Sequence, residues 1–99
     1  MAKHEYRIAR GEILRMLYRQ YPGVVGDNLM RATFVWMTPG QIDGHAAYLV
    51  DQQYATREEV DRHRFEMSTA IYLLRIAPKG IQLLEGEIAA DPGIELARI

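Results

Sequence analysis

The chain reads as one α+β domain in which three helices are followed by a β-hairpin and a fourth helix. Three stretches carry that reading. Leu14, Leu17, Tyr18 and Tyr21 recur at i, i+3, i+4 and i+7, one face of an amphipathic helix. Thr38-Pro39-Gly40-Gln41 has the chemistry of a helix start. From Tyr54 to Ile76, a weakly alternating segment and a mostly apolar one flank a charged centre, and Ala77-Pro78-Lys79-Gly80 then opens another helix.

The first helix is expected from about Lys3 to Tyr21, closed by Pro22-Gly23, with its arginines mostly off the apolar face. Tyr18 and Tyr21 share the stripe of Leu14 and Leu17 and are assigned to core packing. Gly26, Asp27 and Asn28 are candidate caps for a second helix through about Trp36, burying some of Leu29, Met30, Phe34, Val35 and Trp36. The Ala32-to-Trp36 run also has the composition of a strand. In the third helix, Thr38 can accept from the amide three residues on while Gln41 reaches back, and Pro39 takes the first helical position at no hydrogen-bond cost. This helix is expected to reach about Gln52. Ile42, Ala46, Leu49 and Val50 face inward, leaving Gln41, Asp43, His45, Tyr48 and Gln52 more exposed.

Tyr54 to Val60 and Thr69 to Ile76 are the expected strands, the second covered on both faces, with Asp61 to Ser68 as the tip. A short further strand is expected at Val24-Val25 or at Val35-Met37. Pro78 starts a helix bearing Ile81, Leu83 and Leu84, which Gly86 ends. Asp91-Pro92-Gly93 marks a turn, and the apolar Ile94, Leu96 and Ile99 beyond it are expected to dock on this domain or on a second copy.

Ninety-nine residues suffice for one small core, about residues 5–86, with 87–99 as a docked tail. At 48% hydrophobic and 25% charged residues the chain has a globular balance, not that of a disordered one. It has no cysteine, which excludes disulfides, thiolate metal sites and thiol nucleophiles. The net charge of −1 is not the basic excess of a dedicated nucleic-acid binder. Lys3, Arg7, Arg10, Arg15 and Arg19 make the start basic; Glu85, Glu87, Asp91 and Glu95 make the end acidic, so two copies could pair head to tail as a homodimer. The polar N-terminus and the lack of a membrane-length apolar run point to a soluble cytoplasmic protein.

Asp43-Gly44-His45 and Asp61-Arg62-His63 each place a carboxylate two residues before a histidine. On a helix, i and i+2 do not share a face, and a metal or acid–base site needs a third converging group. A phosphate-binding glycine loop, a His-x-x-x-His pair and a nucleophile elbow are all missing, so neither an enzyme nor a cofactor is expected.

Leu49-Val50, Tyr54-Ala55-Thr56-Arg57 and Leu74-Arg75-Ile76-Ala77-Pro78-Lys79-Gly80-Ile81 resemble the winged helix-turn-helix superfamily over roughly residues 13–86. The last segment looks like the Leu-Thr-Pro-Lys-Gly that closes the wing in MarR-like regulators, with Ala77 in place of the capping threonine. The whole chain, including its Ala-Asp-Pro-Gly-Ile close, resembles a short winged-helix family of Mu-like prophages. The resemblance implies a small phage-type transcriptional regulator that binds double-stranded DNA. Its third helix would read bases with Gln41, Asp43, His45, Tyr48 and Gln52. Arg57 and the wing residues Arg62, His63 and Arg64 would hold backbone, with Arg31 beside them. Two features oppose this. No Lys or Arg lies between Pro39 and Gln53, and Arg57 to Glu66 sets three arginines against four carboxylates. The competing expectation is a protein-interaction or phage assembly and packaging module on the same scaffold.

Overall fold

The computed structural model describes residues 3–60 and 70–96. Its elements are four helices and a three-stranded antiparallel sheet. Helix α1, Lys3–Gln20, buries Ala9, Ile13, Leu14, Met16 and Leu17 along one side. Tyr18 and Tyr21 are not in that core, contrary to expectation: they are 37% and 54% exposed. Tyr18 lies at the edge of the buried stripe and donates its hydroxyl to Glu85 Oε2 at 2.8 Å, while Tyr21 sits beyond the helix end. Their rings thus keep a polar tip in reach of water or a partner.

Strand β1 is only Val25–Gly26, which settles the extra strand at the first of its two expected places. Helix α2, Asp27–Thr33, is shorter than expected because Phe34 leaves helical geometry at φ −98°, ψ 65°. Met30, Phe34 and Met37 enter the core, whereas Leu29, Val35 and Trp36 stay exposed. Helix α3, Pro39–Asp51, begins with the full reciprocal cap: Gln41 N donates to Thr38 Oγ1 at 3.2 Å and Thr38 N to Gln41 Oε1 at 2.9 Å. Two otherwise orphaned amides are satisfied by residues three apart, which is why this start is readable locally.

Strands β2, Ala55–Glu59, and β3, Tyr72–Ile76, pair with Ala55 opposite Ile76 and Glu59 opposite Tyr72, and β1 lies on the other side of β3. The tip, 61–69, lies outside the described residues. On β3, Tyr72, Leu74 and Ile76 are buried, Leu73 is half-buried and Arg75 is exposed. One face is fully covered, not two. That is the ordinary arrangement for a small antiparallel sheet with helices on one side.

Helix α4, Pro78–Leu84, starts at Ala77 with no side-chain cap, as the alanine implies. Lys79 Nζ instead reaches across to the Gln52 carbonyl at the end of α3, 3.0 Å away. Gly80 packs directly on the Tyr54 carbonyl, where any Cβ would collide with backbone. The tail docks on its own domain: Ile94 is buried, Glu95 N donates to the Arg7 carbonyl at 3.0 Å, and Arg10 Nη1 donates to the Gly93 carbonyl at 3.0 Å. The basic first helix and the acidic tail therefore meet within one chain. Ile99 lies outside the described residues. No helix among those described is long and apolar enough to cross a membrane.

Candidate functional site

Helix α3 is held on one side by α1 and on another by the sheet, and this decides which of its side chains face out. Ile42, His45, Ala46 and Leu49 are buried beneath it. The outward stripe is Gly40, Asp43, Gly44, Ala47 and Asp51, all exposed, at the i, i+3, i+4, i+7 spacing of a helix face. It presents two carboxylates, two glycines and a methyl group.

Three of the five expected reading residues keep surface: Asp43 and Gln52 are exposed and Gln41 is half-buried in the cap. The expected exposure of the other two is corrected. His45 is 7% exposed and packs on Tyr6, with ring centroids 5.4 Å apart. Burial, reinforced by the charge of Arg10, holds its imidazole below the ordinary histidine range, so it is neutral at pH 7. Tyr48 is half-buried beneath the Arg10 guanidinium, 4.0 Å from its ring centre, and its hydroxyl donates to Asp91 Oδ1 at 3.2 Å. Both side chains are drawn inward by α1 and the tail, partners far away in sequence.

The flanking arginines are engaged as well. Arg31 Nη2 pairs with Asp27 Oδ2 at 2.5 Å, and Asp27 is fully buried. Asp27 Oδ1 accepts the amides of Ile71 at 2.7 Å and Tyr72 at 3.2 Å, fastening the start of β3 to α2. Burial alone would raise the Asp27 pKa. The two amides and Arg31 outweigh it and hold the carboxyl below the usual aspartate range. Arg57 lies over the Tyr72 ring, 4.0 Å from its centre, and pairs through Nε with Glu59 Oε1 at 2.6 Å. The Tyr72 hydroxyl donates to Asp43 at 2.6 Å, and burial followed by this bond raises its pKa. Arg62, His63 and Arg64 lie outside the described residues.

A second polar centre, not expected from the sequence, ties the tail down. Asp91 accepts from Tyr54 Oη at 2.7 Å, Tyr48 Oη at 3.2 Å and Gly93 N at 2.7 Å. Burial and then the Asp91 carboxylate push Tyr54 up to about 12. Asp91 itself, desolvated but triply hydrogen-bonded, stays below the usual range. The Asp91-Pro92-Gly93 turn signal was its only trace in the sequence. Trp36, assigned to the core of α2, instead rims an opening of about 90 Å³ between α1 and the start of α3, alongside Tyr6 and His45.

Asp43 and His45 point to opposite sides of α3, so they do not form a shared site. Among the described residues no three His, Cys, Asp or Glu side chains are placed to hold a metal ion. No protein-family model, curated protein or solved structure matches this chain.

Proposed function

We propose that this chain is a non-enzymatic protein-binding module on a winged-helix scaffold, of the kind that serves as an assembly or packaging accessory in a phage. The observation that carries this reading is the outward face of α3: Asp43 and Asp51 separated by Gly40, Gly44 and Ala47, without a cation. Each carboxylate held about 6 Å from a phosphate in water costs roughly 0.7 kcal/mol, where a binder gains from each lysine or arginine it brings. Arg31 and Arg57 supply little compensation, because each already faces a carboxylate of its own chain. The small side chains of the stripe also let a partner's backbone approach closely.

A second reading, DNA binding by a small phage-type regulator, is favoured by the order of elements: a short helix, a capped helix, then an antiparallel ribbon. On that reading Gln41 and Gln52 contact bases and Arg62, His63 and Arg64 hold the backbone. Binding of random-sequence duplex DNA, followed by fluorescence anisotropy across a salt series, separates the two. The protein-binding reading expects no measurable affinity at low salt. Affinity that falls steeply as salt rises reports several phosphate contacts and establishes the second reading.

A further inference from the structure

We infer that the pocket between α1 and the start of α3 receives the positively charged head of a lysine or arginine side chain from a partner polypeptide. The inference rests on the protein-binding reading above and names the chemistry its partner brings.

The walls of the pocket are built for a cation on an alkyl stem. Tyr6 and Trp36 supply two aromatic rings, buried Ala9 an apolar contact, and exposed Glu5 a carboxylate. Indole is the strongest aromatic acceptor for a cation among protein side chains, and a nearby carboxylate adds a charge-assisted hydrogen bond. His45 lines the same pocket as a neutral ring, so it adds no opposing charge there at pH 7. At about 90 Å³ the opening has room for roughly three waters, which suits one side-chain head and not a drug-sized ligand.

The rest of the molecule shows how such a ring is otherwise used. Tyr48, Tyr54 and Tyr72 are each capped by a cation of this chain: Arg10 at 4.0 Å, Lys79 at 4.7 Å and Arg57 at 4.0 Å. Among the described residues, Trp36 has no such cation and remains 56% exposed, with its neighbour Val35 80% exposed. An indole left open beside a carboxylate, on a turn anchored by the buried Phe34 and Met37, is one half of an interaction.

The test uses the only tryptophan of the chain as its own reporter. The intact protein is titrated with a short arginine-containing peptide, blocked at both ends, and with the same peptide carrying citrulline, which keeps the shape and loses the charge. The expected result is saturable change in Trp36 fluorescence with arginine. Backbone amide shifts should concentrate at Tyr6, Ala9, Trp36 and His45, and citrulline should bind about tenfold more weakly. Trp36→Leu, followed by amide shifts alone, should lose about tenfold in affinity, and Glu5→Gln a few-fold; both sites are exposed enough for the fold to tolerate them. Equal binding of citrulline, shifts confined to the outer face of α3, or no shift at millimolar peptide would each overturn the inference. A protein that binds neither peptide nor DNA leaves the protein-binding reading in place and removes only this pocket from it.

Discussion

Replacing Asp27 with alanine should cost this small domain a large part of its stability, and the cost can be worked from the geometry. Asp27 is fully buried, accepts two amides of the β3 start and faces Arg31 at 2.5 Å. The alanine leaves the Ile71 and Tyr72 donors without their acceptor, and a buried unsatisfied amide costs about 1–3 kcal/mol. Arg31 is 27% exposed and can turn to water, so its loss adds less than a fully buried cation would. Relief of the carboxylate's own desolvation offsets part of the total, leaving a net loss of about 3 kcal/mol. For a domain of this length that lowers Tm by roughly 12–24 °C. Urea and thermal unfolding followed by circular dichroism measure the change. Hydrogen exchange at the Ile71 and Tyr72 amides localises it.

The same carboxylate fixes a pH dependence. Its folded pKa lies below the unfolded one, so between the two values the unfolded chain binds more protons and stability rises with pH. The contribution is complete above the ordinary carboxylate range and is lost as pH falls through the folded value. Asp27→Ala should therefore flatten the acid side of the stability profile. A change under about 1 kcal/mol, with Ile71 and Tyr72 still protected from exchange, would refute the assignment of Asp27 as the clamp between α2 and β3.

Further outcomes follow from single contacts. Gly80→Ala and Gly44→Ala should move stability in opposite directions: the first drives a Cβ into the Tyr54 carbonyl and costs about 1–3 kcal/mol, whereas the second meets nothing within 4 Å and gains about 0.5–1 kcal/mol from helix propensity. Chemical denaturation of both variants checks the sign. Ala77→Ser supplies the cap that α4 lacks and should stabilise by about 0.5–1 kcal/mol, measured the same way. Asp91→Asn removes the negative charge that adds to burial in raising both Tyr54 and Tyr48, so a tyrosine absorbance titration should show two groups moving down, Tyr54 from about 12. The tail should then exchange faster at Glu95, whose amide bonds to Arg7.

What could be read from the sequence was what neighbours in the chain decide. The Thr38–Gln41 cap, Pro39 and Pro78 at helix starts, the missing hydroxyl at Ala77 and the β2–β3 pairing all depend on a few adjacent residues or on a period of two. What could not be read was decided by distant ones. His45 and Tyr48 sit near the boundary of the α3 wheel, and only packing by Tyr6, Arg10 and Asp91 turns them inward. Asp27 was visible as a possible helix cap. Its carboxylate instead serves amides 44 and 45 residues away. Trp36 fell outside its expected helix because the chain turns at Phe34, and an apolar residue released from a helix loses the periodicity that would place it. The candidate site suffered most, since three of its residues, Arg62, His63 and Arg64, lie outside the described residues and four others, His45, Gln41, Tyr48 and Arg31, are buried or half-buried.

The most direct test is amide chemical-shift mapping of the intact chain with random duplex DNA at about 20 mM salt, where phosphate contacts are strongest. If α3 turns an acidic, cation-free surface to solvent, the amides of Asp43, Gly44, Ala47 and Asp51 should not move. A contiguous set of shifts along those residues, fading as salt is added, would contradict the protein-binding account and restore α3 as a DNA-reading helix.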